Sequence, residues 1–119
     1  MKFILPLPPS INNTYAVSRE GQRTLYKKAI ARDWEIEAGW EIIRQRSKFD
    51  PKYPLKGDIQ VDIHWLCTRK RDIDAGIKIL LDLLQRQNIY GNDSQVKALH
   101  VAIEASVKDQ AIIEVGEIE

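Results

Sequence analysis

Cysteine is nearly absent from this chain: Cys67 is the only one in 119 residues. That excludes an intrachain disulfide and any zinc site built on cysteines. Long apolar runs are missing as well. None approaches the ~20 residues needed to cross a bilayer, and the short apolar start Phe3-Ile4-Leu5 is too brief for a signal peptide. The expectation is a cytoplasmic protein with no membrane partner. Gly57, Gly76 and Gly91 stand isolated, so there is no glycine-rich phosphate loop. No serine sits in a nucleophile-elbow pattern. His64 and His100 each lie in an alternating segment without a second histidine at metal spacing, which reads as structural. No internal repeat or low-complexity segment is visible.

What is present is ordinary in bulk. Hydrophobic residues make up 44% and charged residues 29%, as in soluble globular proteins. The length suits one domain over residues 1–119 with a single core. The net charge of +1 hides an uneven distribution. Residues 1–71 carry 14 Lys and Arg against 8 Asp and Glu, and residues 72–119 carry 4 against 9. A basic face attracts polyanions and a carboxylate pocket attracts divalent cations. Charge alone favours the plainer reading, two ordinary solvated faces.

Residues Lys2 to Leu7 read as a first strand, closed by Pro8-Pro9. A polar, turn-prone stretch follows from Ser10 and continues as a loop to about Thr24. From about Leu25 to Ser47 the pattern is helical: Ile30, Trp34, Ala38 and Ile42 recur every fourth residue, with Ile43 widening the stripe. The tryptophans read as core or interface anchors. Phe49 to Gly57 reads as a loop. Ile59, Val61, Ile63, Trp65 and Cys67 alternate with more polar residues, which predicts a half-buried strand. A helix follows from about Ala75 to Gln87, then a turn through Gly91. An alternating strand runs from Leu99 to Val107, and a last strand from about Ala111 to Ile118. The order β-loop-α-β-α-β-β predicts a small mixed α/β (α+β) sheet packed with two main helices.

The chemistry-bearing residues crowd the junction after the second strand. Asp72 and Asp74 can aim two carboxylates into one space, and such a pair repels unless a cation lies between. Magnesium is the usual hard cation for oxygen ligands and keeps waters for substrate phosphates. The plainer reading of the pair is helix capping. Lys78 lies four residues after Asp74. It reads as a helix ion pair with Asp74 or Asp82, or as a cation that stabilises charge on a phosphate. Arg69, Lys70 and Arg71 read as a solvated loop or as phosphate contacts. Asp93 follows the helix. A helix of this length separates its ends by ~20 Å, so Asp93 must return from the start of the next strand or join Asp72 across a dimer interface.

Taken together, these residues resemble the RusA-type Holliday junction resolvases, or crossover junction endodeoxyribonucleases. The resemblance starts at Leu5-Pro6-Leu7-Pro8-Pro9-Ser10 with Asn12 and Tyr15. It resumes at Arg71-Asp72-Ile73-Asp74 and runs through Lys78 and Asp82-Leu83-Leu84 to Asn92-Asp93-Ser94-Gln95-Val96. Ala75 stands where the family usually has Asn, and Asn92 where it often has an acid. The resemblance implies a homodimer that resolves four-way DNA junctions by paired Mg²⁺-dependent nicks in recombination and repair, often encoded by prophages. It implies Asp72, Asp74 and Asp93 as metal ligands and Lys78 as the catalytic cation. It also implies that Arg69, Lys70 and Arg71 contact DNA phosphates. The alternative is a dimeric branched-DNA binder with a degenerate metal site. A third reading is an interaction protein whose acids are caps and surface charges.

Overall fold

A computed structural model of the chain describes residues 1–10, 21–46 and 53–118, with side chains described in all of these except 21–28. The expected loop residues Asn12 and Tyr15, and the start of the expected loop at Phe49, lie outside the described residues. The elements are β1 (Lys2–Leu5), α1 (Gly21–Arg46), β2 (Ile59–Cys67), α2 (Ile77–Arg86), a 3-10 turn (Asp93–Gln95), β3 (Val96–Ala105) and β4 (Gln110–Glu117). This is the mixed α+β order read from the sequence. No helix of the described residues is long and apolar enough to cross a membrane.

The four strands form one sheet in the order β1-β4-β2-β3. β2 and β3 are parallel and joined through α2, whereas β4 runs antiparallel to both β1 and β2. Alternation explains β2: Ile59, Val61, Ile63, Trp65 and Cys67 are buried, while the residues between them are half-exposed. Both helices cover that face. Trp34, Ala38 and Ile42 bring α1 onto it, and Leu80, Leu83 and Leu84 bring α2. Each such side chain contributes ~1.5–3 kcal/mol on burial.

Polar groups in this core are matched. The Trp34 indole N–H donates to the Pro6 carbonyl at 2.8 Å, and the Trp65 indole to the Ile73 carbonyl at 2.8 Å. Gln45 closes the outer edge of β1: its Oε1 accepts from the Ile4 N–H at 2.8 Å and its Nε2 donates to the Ile4 carbonyl at 2.6 Å. An amide thereby stands in for a neighbouring strand.

Three expectations are corrected. α1 begins at Gly21, so residues 21–24 are helix rather than loop. Ile43 does not widen the buried stripe. With Ile36 and Trp40, the latter 68% exposed, it lies on the opposite, outward side of α1. α1 therefore carries two apolar stripes, one in the core and one left exposed among the described residues. α2 begins at Ile77, and neither Asp72 nor Asp74 caps it. The N-cap is Gly76, whose left-handed backbone (φ 92°) supplies no side chain.

Candidate active site

The turn between β2 and α2 is locked by Arg71. Its Nη1 donates to the Pro8 carbonyl at 2.6 Å, and its Nη2 to the Ala75 carbonyl at 2.7 Å. The guanidinium carbon lies 5.2 Å from the centre of the Trp65 ring. Burial pulls its pKa down, against the raising influence of Cys67 and Asp109, and its Nε is buried without a hydrogen-bond partner among the described residues. Gly76 permits this arrangement. A Cβ there would stand 2.6 Å from Arg71 Nη2 and 2.9 Å from Pro8 Cγ. The sequence reading grouped Arg71 with Arg69 and Lys70 as phosphate contacts. The structure turns Arg71 toward the protein and leaves Arg69 and Lys70 exposed.

The same lock sets the two acids. The Asp72 carbonyl accepts from the Ala75 N–H at 3.1 Å, and the Asp74 carbonyl from the Ile77 N–H at 3.4 Å. The backbone of both residues is thus used in the turn while both side chains face solvent. Their carboxylates take no hydrogen bond or ion pair among the described residues. Ala75, where the family usually has Asn, is buried beneath the turn.

The turn after α2 is built differently. Asn92 caps the 3-10 turn by accepting from the Ser94 N–H at 2.8 Å, and Gln95 Oε1 accepts from the Gly91 and Asn92 N–H groups at 2.8 and 2.9 Å. Gln95 Nε2 then donates to the Leu55 and Gly57 carbonyls at 2.9 Å each. Asp93 is half-buried at the head of this turn. Its N–H donates to Gln85 Oε1 at 3.0 Å, and its Oδ1 lies 2.8 Å from the hydroxyl of fully buried Tyr90.

The Asp93 carboxylate acts electrostatically on Asp82 of α2. Burial raises the Asp82 pKa, the Asp93 charge raises it further, and Lys78 opposes both. Sequence reasoning treated Asp82 only as an ion-pair partner of Lys78, and it passed over Tyr90 and Gln85. The i, i+4 spacing of Lys78 and Asp82 was visible. The return of Asp93 onto that helix face was not.

Lys78, Asp82 and Asp93 thus interact through their charges around α2, whereas Asp72 and Asp74 lie in the turn before it. Asp82 sits five residues beyond Ile77, about 7.5 Å of helical rise. Among the described residues no three His, Cys, Asp or Glu gather as a ligand cluster. The donor chemistry nonetheless fits a hard divalent cation: Asp82 and Asp93 are crowded carboxyls, and Asp72 and Asp74 are unclaimed ones. His64 and His100 are taken elsewhere, 3.2 Å from Glu104 and Asp62 respectively, on the sheet face away from the helices.

Comparison with known proteins bears on both turns. A family model described as Endodeoxyribonuclease RusA matches residues 6–116. The Crossover junction endodeoxyribonuclease RusA of Aquifex aeolicus (strain VF5) is 33% identical over 98 residues, covering 81% of this chain and 71% of that protein.

Proposed function

The chain belongs to the RusA endodeoxyribonuclease family, and from that premise we propose that it resolves four-way DNA junctions by Mg²⁺-dependent, paired symmetric nicks. The observation that carries this is the exposed turn at the start of α2. It offers two carboxylates with no partner among the described residues, Asp72 and Asp74, directly beside two exposed cations, Arg69 and Lys70. A nuclease of this kind needs both a cation-binding acid pair and a phosphate-binding flank.

In this reading Asp72, Asp74 and Asp93 hold the ion. Bound there, magnesium would supply charge neutralisation at the phosphate and activation of the attacking water. Lys78, beside Asp82 on α2, would set positive charge against the negative charge that builds on the oxygens of the five-coordinate phosphorus. Arg69 and Lys70 hold the backbone by its phosphates, a contact that salt weakens. Among the described residues Asp93 does not gather with Asp72 and Asp74 into a ligand cluster, which favours a site completed by a second copy. A two-fold homodimer would also supply two cutting sites to one junction from one gene product.

The test is cleavage of a synthetic four-way junction with Mg²⁺. Wild-type protein is expected to nick opposing strands. Asp74→Asn is expected to lower the rate on the order of 10²–10³-fold, the scale of losing one preorganised electrostatic contact. Equal nicking by the two proteins would remove Asp74 from the site. One observation favours a second reading: no three ligands gather among the described residues. A branched-DNA binder with a degenerate metal site would bind the junction in a salt-sensitive manner and leave it uncut in Mg²⁺ and Mn²⁺.

A further inference from the structure

Tyr90 is the most deeply placed polar group near the proposed ligands. Its ring is fully buried, and its backbone bridges Leu55 in a short parallel contact. Its hydroxyl lies 2.7 Å from the Leu81 carbonyl and 2.8 Å from Asp93 Oδ1. Both neighbours are acceptors, so the one phenolic proton is held between them. Burial and the contact with Asp93 push the phenol's pKa far above its usual value, and the proton stays on the oxygen.

The second fix on Asp93 comes from Gln85, whose Oε1 accepts the Asp93 N–H at 3.0 Å. Leu81 and Gln85 both belong to α2. The Asp93 turn is thus tied to α2 by its backbone N–H and to Tyr90 by Oδ1, while Oδ2 takes no hydrogen bond from Tyr90. A carboxylate pinned at one oxygen presents the other in a fixed direction.

We propose that Tyr90 is a positioning residue for the metal site: its hydroxyl holds Oδ1 of Asp93 against α2, so that Oδ2 is the atom offered to a divalent cation. This rests on the reading of Asp93 as a metal ligand. Groups that orient a ligating carboxylate typically contribute 10–100-fold to metal affinity. The ring of Tyr90 contributes to packing, and its hydroxyl contributes to the site.

Tyr90→Phe separates those two parts, because it keeps the ring and removes only the hydroxyl. Mn²⁺ alone, titrated calorimetrically into the full chain, is expected to bind about 10-fold more weakly to Tyr90→Phe than to wild type. The Mg²⁺ concentration for half-maximal junction nicking is expected to rise by a similar factor, with the rate at saturating Mg²⁺ largely recovered. A merely structural role would lower the melting temperature without moving that midpoint. In an Asp93→Asn background, Tyr90→Phe should change Mn²⁺ affinity less than about two-fold, since it acts through Asp93. Unchanged Mn²⁺ affinity in Tyr90→Phe, with wild type binding normally, overturns the proposal and leaves Asp93 as a ligand. Absence of Mn²⁺ uptake by wild type defeats the metal-site reading itself, and this proposal with it.

Discussion

The turn that enters α2 leaves Asp72 and Asp74 at the surface without partners among the described residues, whereas the turn that leaves α2 holds Asp93 half-buried between Tyr90 and Gln85. The first turn is stiff in its backbone and open in its acids. Arg71, Pro8 and Gly76 fix the chain, and nothing among the described residues fixes the carboxylates. The second turn fixes the acid itself. On the proposed reading, the difference lets a small nuclease combine one preorganised ligand with two adaptable ones. The braced carboxylate would set a direction, and the exposed pair would move to meet a cation and its phosphate. Stiffness in the first turn then serves to place the pair, and stiffness in the second to aim a single oxygen.

The largest expected stability effect attacks the stiffness of the first turn. Gly76→Ala puts a Cβ on a left-handed residue, which costs ~1–2 kcal/mol by itself. It also places that Cβ 2.6 Å from Arg71 Nη2 and 2.9 Å from Pro8 Cγ. The guanidinium must then leave one or both of its carbonyl partners. We expect a total loss of about 3 kcal/mol in urea unfolding, taking in a hydrogen bond from a charged donor. A loss below about 1 kcal/mol would mean that the Arg71 lock does not hold this turn.

The next test sharpens the contrast within the basic run. Arg71→Met is expected to destabilise the fold by about 2 kcal/mol, because two carbonyls lose a charged donor. Arg69→Ala is expected to change stability by less than about 0.5 kcal/mol. In DNA binding the order reverses. Arg69→Ala should reduce the salt slope of junction binding by about one, the signature of one lost phosphate contact. A matching slope change in Arg71→Met with no loss of stability would return Arg71 to the DNA interface.

These contrasts show which parts of the molecule were legible in the sequence. β2 was, because one of its faces is buried along the whole length and alternation records that directly. The core stripe of α1 was legible at Trp34, Ala38 and Ile42, but Ile43 was assigned to it through apolar character alone. Hydrophobicity does not say which of two stripes meets the sheet. Asp72 and Asp74 looked like caps because carboxylates before a helix usually are. Gly76 took the cap instead, since only a left-handed residue fits between Pro8 and Arg71. The inward turn of Arg71 depends on Trp65 and on a carbonyl 63 residues away. In sequence it is indistinguishable from Arg69. Asp93 stood out as a candidate, but its contacts did not, because Tyr90 and Gln85 meet it only once the chain has turned back onto α2.

The smallest expected effect concerns Asp82, which lies between the two turns. Its folded pKa stands above the ordinary carboxylate value of 3.8, chiefly through burial and then through the Asp93 charge. The folded chain therefore holds this proton more tightly than the unfolded chain does. As pH rises from about 3.8 through the raised folded value, the folded state binds more protons than the unfolded one, and stability falls. Acid restores it over the same window. Asp82→Asn abolishes this titration and relieves the crowding with Asp93. In metal-free buffer its melting temperature is expected to exceed that of wild type slightly at neutral pH, with the gap closing as the pH falls toward 3.8. Added Mn²⁺ should stabilise wild type more than Asp82→Asn if the crowded acids share a cation. The two turns would then be energetically unlike in a second way: the braced end stores a repulsion that a cation relieves, and the open end stores none. A variant that is no more stable than wild type in metal-free buffer, at any pH between 4 and 8, would show that Asp82 and Asp93 are not in conflict. The contrast would then rest on hydrogen bonding alone.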